Sequence, residues 1–182
     1  TLTTIGHDKS GELVGFTAAH CGGPGAHVVA EGAEGRGVLG TVVATANDTR
    51  LDYSVIKFDP ASVAPIANFA GFAINGIGPD PAYRQPACKL GAATGDFCSG
   101  IGSLAGPGPR MSMSGLFQPG DDGGPVTSDN LLIGMIRGGT FVPGDLLGAP
   151  CHNFTDLTKF SAILDDVNTT GGPGAGFTPV PA

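Results

Sequence analysis

The chain has 182 residues, 41% hydrophobic and 14% charged, with Gly 32 and Pro 15; it is long enough to bury a core without metals, too apolar for disorder, and cut into short apolar runs that favour strands over long helices. A formal net charge of −7, with nine Lys and Arg and no basic cluster, lacks the cations that phosphate binding requires, so no nucleic-acid partner is expected. No apolar run approaches the ~18 residues of a membrane span and no charged-then-apolar leader stands at Thr1, so the chain reads as a mature or trimmed form with no membrane association.

In chain order, residues 2–5 and 12–16 read as a β-hairpin around the turn His7-Asp8-Lys9-Ser10-Gly11. The second strand runs straight into Thr17-Ala18-Ala19-His20-Cys21. Small residues at the end of a buried strand hold the imidazole of His20 against the wall of the fold. Strands are expected at 28–30 and 38–44, separated by a glycine-rich stretch, and then a polar loop leads to Asp52 at the mouth of the alternating strand Tyr53-Ser54-Val55-Ile56-Lys57-Phe58. Residues 67–81, with weak apolar patterning and Pro79 and Pro81, read as a crossover between two halves. A hairpin is expected over 85–105, strands over 110–117 and 131–136, and a helix over 154–167 from the spacing of Phe154, Leu157, Phe160, Ile163 and Leu164. Residues 168–182, rich in Gly, Pro and Thr, read as a loose tail.

Four cysteines, Cys21, Cys88, Cys98 and Cys151, lack zinc-ligand spacing, so disulfides in an oxidising, extracellular compartment are the better reading. Cys88 and Cys98 bracket a turn-rich segment of hairpin length, and a bridge there is worth roughly 2–3 kcal/mol on the loop-entropy model. Cys21 and Cys151 are left either to pair by exclusion or to remain as two buried free thiols. No metal and no organic cofactor is implied.

The most informative stretch is Gln118-Pro119-Gly120-Asp121-Asp122-Gly123-Gly124-Pro125-Val126. Glycines at these positions permit φ > 0 and close approach to the main chain, as in a loop that presents successive N–H groups to an anion. With Ser in place of Asp122 it would be the Gly-Asp-Ser-Gly-Gly-Pro nucleophile loop of chymotrypsin-like serine proteases. Phe16-Thr17-Ala18-Ala19-His20-Cys21 resembles that family's catalytic-histidine motif, and Leu51-Asp52-Tyr53-Ser54-Val55-Ile56 its aspartate strand. Residues 87–98 are similar to the disulfide hairpin of its streptogrisin and alpha-lytic branch. The three motifs stand in the family's order.

The resemblance implies an all-β fold of two six-stranded antiparallel β-barrels with a C-terminal helix. The halves would be 1–70, carrying His20 and Asp52, and 80–167, carrying the Asp122 loop, with 168–182 as the tail. It implies a cleft where His20, Asp52 and Asp122 meet, and an oxyanion hole from the N–H groups of Gly120 and Asp122. It also implies a Lys89–Asp121 pair that holds the loop, and a substrate-pairing strand through Arg137, Gly138 and Gly139. Arg137 occupies the family's serine position there, and a guanidinium near Asp52 and Asp122 would neutralise them in an ion network.

Serine catalysis needs an Oγ whose proton the His takes as it attacks a carbonyl. A carboxylate at 122 is a weak nucleophile toward amides and sets a negative charge beside the oxyanion hole. The loss expected is on the order of 10⁴–10⁶ in rate. The reading is therefore a secreted, monomeric, proteolytically inactive relative of these proteases. Alternatives are an active serine endopeptidase in a native Ser form, and a module that binds a peptide, an inhibitor or another protein in the inter-barrel cleft.

Overall fold

The computed structural model describes residues 1–104, 108–145, 148 and 150–182. Its strands are β1 (Thr4–His7), β2 (Leu13–Thr17), β3 (His27–Val28), β4 (Gly40–Asn47), β5 (Asp52–Phe58), β6 (Asn68–Phe69), β7 (Phe72–Ala73), β8 (Gly76–Ile77), β9 (Pro86–Gly91), β10 (Gly95–Leu104), β11 (Arg110–Ser114), β12 (Pro125–Ser128), β13 (Leu131–Val142) and β14 (His152–Lys159). A helix, α1 (Phe160–Thr170), and a last strand, β15 (Thr178–Pro179), complete the chain.

The first half is a six-stranded antiparallel sheet in the order β15-β1-β2-β5-β4-β3. In the second half β12 pairs with both β9 and β13, so β12-β9-β10-β11-β14-β13 closes into a six-stranded barrel. β8 adds to it in parallel beside β13. The predicted double-barrel, mostly β architecture with one C-terminal helix is the one observed. No ladder joins β15 to β3 among the described residues.

Alternation along the strands explains how the halves share a core. Successive side chains leave a strand on opposite faces. Tyr53 and Val55 of β5 enter a cluster between the halves with Val14, Phe16, Leu132, Met135, Phe160 and Phe177, whereas Ile56 and Phe58 of the same strand enter the first half's own core with Ile5, Leu13 and Val42. A third cluster, including Ile101, Met113, Val126 and Leu157, fills the second barrel. One strand thus serves two cores, and Asp52 at its start lies next to the seam.

Three expectations are corrected. Residues 154–159 are strand, not helix: β14 lies between β11 and β13, with Thr155, Leu157, Thr158 and Lys159 buried, and α1 begins only at Phe160. The helix ends at Gly171, whose φ of 74° and N–H bond to the Val167 carbonyl form a left-handed cap. Residues 168–182 are not a loose tail: Ala175 and Phe177 are buried, the Phe177 ring meets Phe16 edge-on at 5.0 Å, and β15 pairs with β1. Gly76–Ile77 already belong to the second sheet, so that half starts before residue 80 and the β6–β7 hairpin fills the connection. Of the expected 85–105 hairpin, β9 and β10 are observed up to Leu104, and residue 105 lies outside the described residues.

Phe177→Ala is expected to lower unfolding free energy by about 3–5 kcal/mol in urea titration, the cost of emptying a packed aromatic site. A tail that contributes nothing to the core would show no change.

Candidate functional site

β2 is buried along its whole length and continues through the buried Ala18 into a single 3-10 turn, Ala19–Cys21, which carries His20. Asp52, 6% exposed, fixes that turn and its ring together. Its Oδ1 accepts from the N–H of Ala19 at 2.7 Å and of His20 at 3.2 Å, while its Oδ2 lies 2.8 Å from His20 Nδ1. On the other side of the imidazole, Nε2 is 3.1 Å from Oδ1 of Asp122. The three residues expected to meet do so, with the His20 side chain 45% exposed and Asp52 and Asp122 at 9% and 15%.

The two carboxylates engage both ring nitrogens of His20 at once, Asp52 at Nδ1 and Asp122 at Nε2. Nitrogen-detected NMR of histidine-labelled protein is expected to show Asp122→Ala moving the His20 Nε2 signal more than the Nδ1 signal, since only the Nε2 contact is lost.

The loop that carries Asp122 is anchored by its neighbour. Asp121 is fully buried and accepts from Thr94 N–H at 2.9 Å, Thr94 Oγ1 at 2.8 Å, Ala93 N–H at 3.1 Å and Gln118 N–H at 3.1 Å. Lys89, also fully buried, places Nζ 3.6 Å from its Oδ2 and donates to Thr94 Oγ1 at 2.8 Å. Burial works to raise the Asp121 carboxyl, but the Gln118 and Thr94 hydrogen bonds and the Lys89 charge outweigh it and hold it below its ordinary value. A Cβ on Gly91 would run into this carboxylate, so glycine there is what lets the β9–β10 turn wrap it.

Further along, Gly123 takes φ of 82° and donates to the Ile136 carbonyl at 2.8 Å, while Gly124 donates to the Asp121 carbonyl at 2.9 Å. The N–H groups of Gly120 and Asp122 donate to no protein acceptor among the described residues. The first residues of the sequence brace the loop from outside: Thr1 Oγ1 donates to the Gly120 carbonyl at 2.6 Å and Thr3 Oγ1 to that of Gly123. Thr94, Thr1 and Thr3 were not anticipated, since nothing local in the sequence marks a threonine as the partner of a loop ~30–120 residues away, a separation set only by the tertiary fold.

Arg137 does not join the network expected of it. No Asp52 or Asp122 oxygen lies within ion-pairing distance of it among the described residues. It is the extra residue at a bulge between Ile136 and Gly138 in the β13–β14 ladder, and its NH1 is buried without a partner among the described residues. Its charge bears instead on Asp48, a loop carboxyl held low first by the Leu51 N–H, then by Arg50, with Arg137 a smaller influence. The physical reason is the bulge, which takes Arg137 out of the regular alternation of β13 and re-aims its side chain. Gly138 and Gly139 continue β13 against Asp156 and Thr155 of β14.

The sulfur chemistry divides. Cys88 and Cys98 form a disulfide across directly opposed positions of β9 and β10. Cys21 and Cys151 are both free and exposed, so they are neither a bridge nor buried thiols. Cys21 ends the 3-10 turn of the first half, whereas Cys151 stands at the entry to β14, accepting from the Gly144 N–H at 3.3 Å. The group Cys88, Asp96 and Cys98 is close enough together to hold a metal, but both sulfurs are spent on the disulfide. No helix among the described residues is long and apolar enough to cross a membrane.

Two sheets meeting at a seam that carries His20, Asp52 and the Asp122 loop define the chymotrypsin-like double-barrel fold of the serine proteases. Solved structures similar to it include Thermobifida fusca Protease A, with a TM-score of 0.71 and 21% identity over 100% of this chain and 91% of that one. Cellulomonas bogoriensis chymotrypsin matches with a TM-score of 0.68 and 20% identity over 100% and 95% of the two chains. A glutamic acid specific serine protease, described as using a novel histidine triad in substrate binding, matches with a TM-score of 0.71 and 18% identity over 97% and 91%. No protein-family model matches the chain, and no curated protein does.

Proposed function

We propose that this chain is a proteolytically silent relative of the two-barrel serine proteases, in which Asp122 stands where the family places its attacking hydroxyl. The observation that carries the reading is the 3.1 Å contact from Asp122 Oδ1 to His20 Nε2. In a working enzyme that nitrogen takes the proton of the nucleophile. Here it is engaged by a carboxylate that has no proton to give and no Oγ to attack with, and its charge opposes the oxyanion that would form beside it.

The cleft serves binding instead. β13 pairs with β12 over Leu131–Met135 and bonds the Gly123–Gly124 loop at Ile136, which leaves the edge of Gly138–Val142 away from β14 without a ladder among the described residues. An extended peptide adds to such an edge by main-chain hydrogen bonds. The disulfide at Cys88–Cys98 supports an oxidising, extracellular location.

The test is turnover. Purified, unaltered protein given a broad panel of chromogenic ester and amide peptides is expected to hydrolyse them at the rate of buffer, and turnover well above that rate would refute the reading.

A further inference from the structure

Away from His20, a cavity of about 640 Å³ opens between residues 1–5, the connection at 63–74 and the turn of the β9–β10 hairpin. Its size falls in the range of small-molecule sites, roughly 300–1,000 Å³. The walls include Leu2, Ile5, Phe72, Leu90 and Val180, and among the described residues lining it none has an ionisable side chain. Ile66 and Phe69, which also line it, are left 60% and 63% exposed. Large apolar side chains bordering a concave apolar surface mark a place where an apolar partner removes area from water.

We propose that this cavity binds an uncharged, hydrocarbon-like small molecule, independently of what the His20 site does. Two observations choose the occupant. Of the three threonines lining the cavity, Thr1 and Thr3 already spend their hydroxyls on the carbonyls of Gly120 and Gly123; the Thr1 ammonium is engaged by the Asp122 carbonyl at 2.9 Å, and with no cationic side chain among the described lining residues an acid headgroup finds no free partner. A peptide strand is disfavoured because the edge of β1 beside the cavity is taken: β15 pairs with Gly6 and His7, and the Val180 N–H donates to the Ile5 carbonyl. What remains is a ligand that needs contact area and few polar partners.

The test uses the whole chain and the neutral fluorescent probe N-phenyl-1-naphthylamine. A saturable, one-to-one rise in fluorescence is expected, reversed by 1-decanol and about tenfold less effectively by decanoate. Ala67→Trp, which fills the cavity, and Phe69→Ala, which removes an exposed part of its wall, are each expected to weaken probe binding about tenfold. Amide signals at 1–5, 63–74 and 90–92 are expected to move on binding. Absence of saturable binding, equal displacement by decanoate, or shifts confined to the His20 cleft would overturn the proposal. Unchanged affinity in Phe69→Ala would do the same, and that variant decides the matter if Ala67→Trp fails to fold.

Discussion

The substitution Asp122→Ser is expected, on the function proposed above, to raise the hydrolysis of activated esters by on the order of 10⁴ or more over the unaltered chain. On that proposal, the other groups acyl transfer requires are those already gathered around residue 122. Asp52 holds the His20 ring through Nδ1 at 2.8 Å and fixes its turn through two further N–H bonds. The N–H groups of Gly120 and Asp122 donate to no protein acceptor among the described residues, and on the same proposal they are the donors to an oxyanion. A hydroxyl on the same Cβ has a proton to give to His20 Nε2, which the carboxylate lacks. Steady-state kinetics on activated esters measure the gain. A variant that keeps the circular dichroism of the parent yet stays at background would show that the cleft has lost its alignment for acyl transfer, with the bulge at Arg137 the first place to look.

The second large effect concerns stability. Asp121→Ala strands the fully buried Lys89 ammonium and three N–H donors, those of Ala93, Thr94 and Gln118, for an expected loss of about 3–5 kcal/mol. The sign of its pH dependence follows from the direction of the shift. The carboxyl lies below its ordinary value in the folded chain. Its contribution is therefore complete above the unfolded carboxyl range and is lost as pH falls through the lowered value. Urea titrations of the parent at decreasing pH are expected to show that acid-side loss, and Asp121→Ala to show less of it. Placed in the Asp122→Ser background, the same change is expected to abolish the gained activity, because the loop that bears residue 122 loses its anchor.

What could be read ahead of the fold, and what could not, separates along physical lines. His20 behind Ala18 and Ala19, Asp52 at the head of an alternating strand, and the glycine-rich loop at Asp122 are each local patterns, and each constrains its own backbone. Their meeting was legible because they resemble motifs whose arrangement is shared by a fold. Leu157 shows the opposite case: it satisfies a helical spacing with Phe154 and Phe160 and equally a strand spacing with Thr155 and Lys159, and only pairing with β11 and β13 decides for strand. Phe177 sits among glycines and prolines that locally say linker, yet its partner Phe16 lies at the far end of the chain. Arg137 lies within β13, which runs on to Val142 beyond the strand end expected at residue 136, and the direction its side chain takes depends on a bulge, which leaves no local signal. The free Cys21 and Cys151 belong to the same class, since a pairing inferred by exclusion carries no information about distance.

The central claim is that no attacking hydroxyl stands against His20 Nε2. Intact-mass spectrometry after exposure to a serine-directed fluorophosphonate tests it directly, run on the unaltered chain beside Asp122→Ser. No mass gain is expected in the former and a single adduct on the introduced serine in the latter. A stoichiometric adduct on the unaltered chain, lost when His20 is replaced, would contradict it.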